Sequence, residues 1–356
     1  MQNNINTLLI FIISFQLILN ISFIFIWKLP FLRKYHSVYS AEQKIHNGFV
    51  PRLGGLTLIL TLGIVHIFSI LPAIWKFTFP NLFLSLFPLI FITFLEDTYN
   101  NILPQARLFF IFVSSILVFI FMSFKLPVID IPMISNLFID HPWLLIIFLI
   151  IAMVGMVNAF NFIDGVNGLL LFNFISIFYC LKLMAIEVND FEWVGLLNIL
   201  IILSLTQLTF NFPKAFIFAG DLGAYSFGMM ISVLVIIFFG QYPEFLTWQA
   251  SLILFYPSCE LLFTIIRRFL SKKNPFNADR LHLHQLIFDT LENWSGKILL
   301  SNYLSTILLL PIWGLPLFWI YTFGPHLNLL YTLLGLGLNF ILYITYYFYF
   351  TKVRKH

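Results

Sequence analysis

Residues 143–169 read WLLIIFLIIAMVGMVNAFNFIDGVNGL. Trp143 to Val157 carries no charge, and the polarity then arrives abruptly as Asn158, Asn161, Asp164 and Asn167 at a strict spacing of three. On a straight α-helix that spacing drifts by about 60° per step, so the four side chains would sweep roughly half the helix surface. They converge on one point only where the helix is broken or tightened, which Gly165 and Gly168 permit. A polar helix end closed by a glycine is the plainer alternative. The sharper reading is an apolar span ending in a backbone-accessible pocket at the rim of a membrane, able to hold a metal ion and a phosphorylated ligand.

Composition fixes the class outside that stretch. The 356 residues are 60% hydrophobic and only 10% charged, against about 25% charged in a soluble domain. Apolar runs long enough to span a bilayer recur, rather than the alternating ten-residue segments of a β-barrel. An all-α integral membrane protein is predicted, with residues 1–356 as one transmembrane domain and its motifs within 44–288. Nothing points to nucleic acid. Cys180 and Cys259 both lie in apolar runs and read as small buried hydrophobes. Leu8 to Trp27 lacks a preceding positive residue and a small-residue cleavage site, so it reads as a retained span.

Eleven spans can be drawn, at about 6–27, 54–75, 82–96, 106–124, 143–160, 166–186, 193–212, 222–239, 246–268, 297–319 and 328–350. With the N-terminus outside, loops after odd-numbered spans face the cytosol. Those loops and the C-terminal tail then hold all of the 19 Lys and Arg residues except Lys76, Lys125 and Lys182. This is the asymmetry expected of cytosolic loops. The polar clusters fall on that same face. They are KIHNGFVPRLGG (44–55), LEDTYNNILPQARL (95–108), the opening stretch, FNFPKAFIFAGDLGAYSFG (210–228) and NPFNADRLHLHQLIF (274–288).

The residue types suit phosphate chemistry. Glu96, Asp97, Asp164 and Asp221 are hard oxygen donors of the kind that hold Mg²⁺ beside substrate phosphates, and Asn161 adds a carbonyl oxygen. Lys44, Arg52, Arg107, Lys214 and Arg280 can neutralise phosphate oxygens. Gly54, Gly55, Gly220 and Gly223 sit where loops enter helices, where free backbone N–H groups favour an anion. His282 and His284 lack the further ligands of a zinc site. Glu260, two turns before Arg267, is either a structural partner of that arginine or a site residue.

In these motifs the chain resembles the bacterial polyprenyl-phosphate N-acetylhexosamine-1-phosphate transferases of glycosyltransferase family 4. The K-x-H and P-R-x-G-G patterns appear as Lys44, His46, Pro51, Arg52, Gly54 and Gly55. The acidic pair is Glu96–Asp97, with Arg107 and Leu108 downstream. N-x-x-N-x-x-D-G is Asn158, Asn161, Asp164 and Gly165. G-D-x-G is Gly220, Asp221 and Gly223, and D-R-x-H-L-H is Asp279, Arg280, His282 and His284. The chain departs from the pattern at Glu96, Asn167, Ala224 and Gln285, where an aspartate, an aspartate, a serine and a histidine are usual.

The resemblance implies transfer of a sugar 1-phosphate from a UDP-N-acetylhexosamine to undecaprenyl phosphate, releasing UMP. Such a reaction opens the synthesis of a surface polysaccharide such as O-antigen, capsule or a teichoic-acid-like polymer. It implies Mg²⁺ (or Mn²⁺) and a multi-pass protein of the bacterial inner membrane with its site on the cytosolic face. The implied catalytic residues are Asp97, Glu96 and Asp164, with Asp97 engaging the lipid phosphate as base or through the metal. Asp221 and Asn161 are the implied metal ligands. Lys44, His46, Arg52, Arg107, Asn158, Asn167, Gly220, Asp279, Arg280, His282 and His284 are the implied substrate contacts. The spans after Lys297 offer a surface for a homodimer. The rival from another class, a transporter or flippase, would place its polar residues near mid-membrane in a pseudo-symmetric repeat. A catalytically dead relative acting in assembly is a third reading.

Overall fold

The computed structural model describes residues 2–27, 50–99, 101–272 and 280–354, and every regular element among them is helical. Lys44, His46 and Asp279 lie outside these residues. In chain order the helices are α1 (Gln2–Trp27), α2 (Gly54–Ile67), α3 (Ala73–Tyr99), α4 (Pro104–Phe121), α5 (Pro132–Asp140), α6 (Pro142–Ile163), α7 (Leu169–Glu187) and α8 (Phe191–Asn211). They continue as α9 (Gly220–Gln241), α10 (Trp248–Ile253), α11 (Phe255–Leu270), α12 (Leu283–Ser295), α13 (Ile298–Leu308), α14 (Leu310–Trp313), α15 (Leu315–Phe323) and α16 (Leu329–Val353).

Nine helical stretches among the described residues are long and apolar enough to cross a membrane, with α13 to α15 counted as one. Two expected spans fall short of that criterion. α2 has 14 residues, about 21 Å at 1.5 Å per residue, against a hydrocarbon core of about 30 Å. The stretch expected at 246–268 is split into α10 and α11, because Pro257 in the first turn of α11 offers no amide to continue a helix through it.

The bundle is built around α9. Its best 18-residue window is 94% buried, against 22% for α1, α4 and α16, so α9 is the axis and those three are the lipid-facing wall. α9 packs against α2, α3 and α6. Small residues allow the close approach: a Cβ on Gly228 would stand 2.9 Å from the Phe160 ring on α6. α3 is longer than expected and runs through Pro80 and Pro88. Leu89, just past the second proline, donates its N–H to Ser114 Oγ of α4 (3.2 Å), which binds the interrupted helix to its neighbour.

The opening stretch is broken as its glycines allow. α6 stops at Ile163, Asp164 is its C-cap, and Gly168 stands at φ +80° immediately before α7. Two helices were not expected. α5 presents Met133, Ile134, Leu137 and Ile139 as exposed apolar side chains. α12 lies in what reads from sequence as the loop between Arg267 and Lys297. Both cysteines are buried and unbridged.

Candidate active site

The site begins with a backbone pairing. Phe218 N–H donates to Pro51 O, Gly54 N–H to Phe218 O and Gly55 N–H to Ala219 O, each at 2.8 Å. A Cβ on Gly55 would stand 2.1 Å from Gly223 N, so backbone meets backbone there with no room for a side chain. This corrects the expectation that Gly54 and Gly55 offer their amides to an anion, since carbonyl groups already hold them. What the pairing achieves is to lay Arg52 across the N-terminus of α9.

α9 opens on Gly220 at φ +72°, a left-handed backbone that suits glycine. A Cβ at Gly220 would also meet Arg52 O at 2.2 Å and Asp97 Oδ2 at 2.6 Å. The residue before it, Ala219, cannot cap the helix. Asp97, from the end of α3, does so from 124 residues away: Asp221 N–H donates to Asp97 Oδ1 at 2.9 Å and Leu222 N–H to Oδ2 at 2.8 Å. The anion drawn to this helix end is the chain's own carboxylate. Asp97 was expected to face a lipid phosphate; its two oxygens are instead committed to α9.

The Asp221 side chain is held by arginines from two other elements. Arg52 Nη2 donates to Oδ1 at 2.8 Å and Arg107 Nη1 to Oδ2 at 2.6 Å. Arg52 Nε also lies 3.6 Å from Asp97 Oδ1, and Arg107 Nη1 lies 3.3 Å from Glu96 Oε1. Glu96 Oε2 accepts the Ile102 N–H at 2.8 Å, which fixes the loop leading into α4. Three carboxylates thus interleave with two guanidinium groups at the end of the central helix. Such a chain of buried charges is tolerable because each has an opposite neighbour.

Asp164 faces the same charges. Burial pushes its carboxyl up to about 7, with Arg52 pulling it down and Asp221 pushing it up. The Asn161 side chain, one turn back, lies beside the Tyr225 hydroxyl, which borders Asp221 and Arg107. Tyr225 had not been singled out from sequence. Its position four residues after Asp221, on the same helix face, was the available signal.

A second group joins from the C-terminal motif. His284 is wholly buried, and among the described residues neither ring nitrogen has a hydrogen-bond partner. Its Nε2 would lie 2.0 Å from a Cβ on Gly165, so the ring rests on the turn beside Asp164. Burial, and after it the neighbouring His282, push the His284 imidazole well below its usual range, so it is neutral. Arg280 Nη2 pairs with Asp289 Oδ1 on α12 at 2.8 Å, and Arg354 Nη2 with Asp289 Oδ2 at 3.0 Å. Burial raises the Asp289 carboxyl while the two arginines counter it. Gln285, where the motif usually has histidine, accepts the His282 N–H at 3.3 Å and so helps start α12.

Not every expected residue converges. Asn158 turns its Nδ2 back to Val154 O at 2.8 Å, along its own helix. Asn167 is a fastener of the turn. Its Nδ2 donates to Pro213 O at 2.9 Å, its N–H to Asn302 Oδ1 at 2.7 Å, and its carbonyl accepts from Thr306 Oγ1 at 2.7 Å.

The donor set suits a hard cation in one respect only. Asp221, Glu96 and Asn161 present oxygen donors, yet among the described residues no three His, Cys, Asp or Glu side chains form a ready metal cage. Those oxygen donors are of the type that Mg²⁺ accepts, an ion that takes one or two protein carboxylates and completes its shell with water and substrate phosphates.

Bundle and cluster together define a helical integral membrane protein with a cluster of paired charges at the end of its central helix. The chain carries a glycosyl transferase family 4 region, since the profile of that family matches residues 79–239. It is 29% identical over 262 residues to the undecaprenyl-phosphate alpha-N-acetylglucosaminyl 1-phosphate transferase of Thermotoga maritima, covering 74% of this chain and 76% of that one. A probable undecaprenyl-phosphate N-acetylglucosaminyl 1-phosphate transferase of Bacillus subtilis is 26% identical, over 68% of this chain and 67% of the relative. The decaprenyl-phosphate N-acetylglucosaminephosphotransferase of Mycobacterium tuberculosis is 25% identical, over 69% and 67%. The family resemblance read from the motifs is borne out. Glu96, Asp97, Arg107, Asp164 and Asp221 fall inside the matched region; Arg52, Arg280, His282 and His284 lie outside it.

Proposed function

We propose that this protein transfers an N-acetylhexosamine 1-phosphate from a UDP-sugar to undecaprenyl phosphate, releasing UMP, as the first membrane step of a surface polysaccharide. The observation that carries the reading is Asp221, held between Arg52 and Arg107 at the N-terminus of α9. Both guanidinium groups stand together at that helix end, and both can exchange a carboxylate for phosphate oxygens.

In the proposed reaction an oxygen of the lipid phosphate attacks the β-phosphorus of the UDP-sugar. The new P–O bond forms as the bridging bond to the α-phosphate breaks, and UMP leaves with that electron pair. A phosphate monoester has a second pKa near 6, so the nucleophile needs little help from a base. Positioning and charge neutralisation therefore carry most of the barrier reduction. Arg52 and Arg107 bind the diphosphate, Asp97 holds the helix end that presents Asp221, and Asp164 lines the turn toward the nucleotide. Mg²⁺, with Mn²⁺ as a substitute, would be held by Asp221 and Asn161 and would neutralise charge on the transferring phosphate. α2 and the α10–α11 pair complete eleven crossings in this reading, with the site on the cytosolic face of a bacterial inner membrane.

The test is UMP release by purified protein from a panel of UDP-N-acetylhexosamines. Release is expected only with undecaprenyl phosphate and Mg²⁺ both present, and EDTA should abolish it. No release from any member of the panel would refute the reading; release without lipid acceptor would point to a covalent enzyme intermediate instead of direct attack.

Gly165→Ala gives a second expected outcome. The added methyl would fall within 2.0 Å of His284 Nε2, so the imidazole must leave the turn beside Asp164. Turnover in the same assay should drop about 100-fold, the usual cost of misplacing a site group by about 1 Å. Wild-type turnover in this variant would remove His284 from the site.

A further inference from the structure

Glu260 is fully buried in α11, and three donors from other parts of the chain converge on its two oxygens. His282 Nδ1 lies 2.9 Å from Oε1. Leu283 N–H lies 3.3 Å from Oε1 and 3.4 Å from Oε2, and the Tyr343 hydroxyl donates to Oε2 at 3.0 Å. Arg267, the partner considered from sequence, is not among these three. A carboxylate this deep is costly unless it is well paired. Its pairing spans α11, the start of α12 and α16.

We propose that Glu260 is a positioning residue for His282 in the phosphotransfer site, with Tyr343 of α16 steadying it from behind. This rests on the function proposed above. A carboxylate oxygen facing a ring nitrogen at 2.9 Å accepts a hydrogen bond from it, so His282 carries hydrogen on Nδ1. That bond fixes the tautomer and the ring orientation and turns Nε2, on the far edge, away from Glu260. The ring is held on its faces as well. Phe162 lies 5.1 Å away centroid to centroid, and His284 stacks at 5.8 Å with an interplanar angle of 11°. His284 in turn rests on Gly165. His282 is thereby fixed beside the Asp164 turn. Tyr343 places α16, which lies beyond the family-matched region, in the support of this site.

A double-mutant cycle on the full chain tests whether Glu260 acts through His282. Glu260→Ala and His282→Ala should each lower kcat by about 10- to 100-fold, the range lost when the partner orienting a functional imidazole is removed. The double variant should fall no further than His282→Ala alone, because residues that act as a unit are not additive. Glu260→Gln, which keeps an acceptor oxygen for Nδ1–H, should recover most of the loss. Losses that multiply in the double variant would overturn the proposal, as would Glu260→Gln being no better than Glu260→Ala. Ring ¹⁵N spectra of histidine-labelled protein give an arm independent of turnover. The His282 signals, assigned by their loss in His282→Gln, should report hydrogen on Nδ1 in the wild type and a mixture of tautomers in Glu260→Ala. Unchanged His282 signals in that variant would also overturn the proposal. Should Glu260→Ala fail to fold, Glu260→Met, which fills the same space without an acceptor oxygen, serves in its place in the cycle and in the spectra. Absence of UMP release by the wild type would instead count against the transferase reading, while the spectra still decide the role of Glu260.

Discussion

Asp221→Asn is expected to cut UMP release by about 1,000-fold while leaving the bundle folded. The asparagine has the shape of the aspartate and keeps one acceptor oxygen, but its NH₂ must face the second guanidinium, so the charge and one of the two arginine contacts are lost together. That charge stands between Arg52 at 2.8 Å and Arg107 at 2.6 Å, and no other carboxylate reaches both guanidinium groups in the described structure. The two arginines keep their longer contacts to Asp97 (3.6 Å) and Glu96 (3.3 Å), which is why the fold should survive. Loss of a preorganised charge at a developing transition state costs about 100- to 1,000-fold. Loss of the carboxylate proposed to hold the metal in the same change puts the expectation at the upper end. The measurement is initial UMP release at saturating Mg²⁺ and lipid acceptor, with thermal melting in the same detergent as the control for folding. Wild-type turnover in this variant would remove Asp221 from both the metal and the phosphate.

The sequence was most legible where one physical signal acted alone. Long apolar runs can only be membrane helices, and the break at Gly165–Gly168 followed from polar residues at spacing three. The motif residues Glu96, Asp97, Arg107 and Asp221 were picked out because charge is rare in this chain. Their partners were not legible, because pairing across 124 residues leaves no local trace. The same holds for Gly54 and Gly55. A glycine pair before a helix reads equally well as an anion cradle and as a site of backbone contact, and only the carbonyls of Phe218 and Ala219 separate the two. α12 was missed because its polar side, which carries Asp289 and Glu292, reads as loop polarity in a chain otherwise so hydrophobic. Asn167 looked like a nucleotide contact for its position in a motif. Its Nδ2 donates to Pro213 O, which lies 46 residues away and leaves no local trace, while its Oδ1 is buried without a partner among the described residues.

Asp97 separates two accounts of the same carboxylate, and Asp97→Asn distinguishes them. If Asp97 acted as a base or nucleophile, an isosteric amide would abolish turnover and leave thermal stability alone. The geometry predicts a different pairing of effects. One oxygen of the new side chain can still accept from α9, but its NH₂ must face the second backbone N–H, donor against donor. A buried donor left without an acceptor costs about 1–3 kcal/mol. The lost charge at the positive end of α9 adds to this, since a favourable charge in such a partly buried place contributes up to about 2 kcal/mol. A melting temperature lower by several degrees is therefore expected. Activity should fall with it, by about 100-fold, because the two amides Asp97 holds are those of Asp221 itself and of the residue after it. Gly220 leaves the loop no means to readjust, being pressed against Arg52 O and Asp97 Oδ2. Thermal melting and UMP release measured on one preparation decide the matter. An Asp97→Asn protein that melts like the wild type yet has no activity would refute the capping account and restore Asp97 to the chemistry.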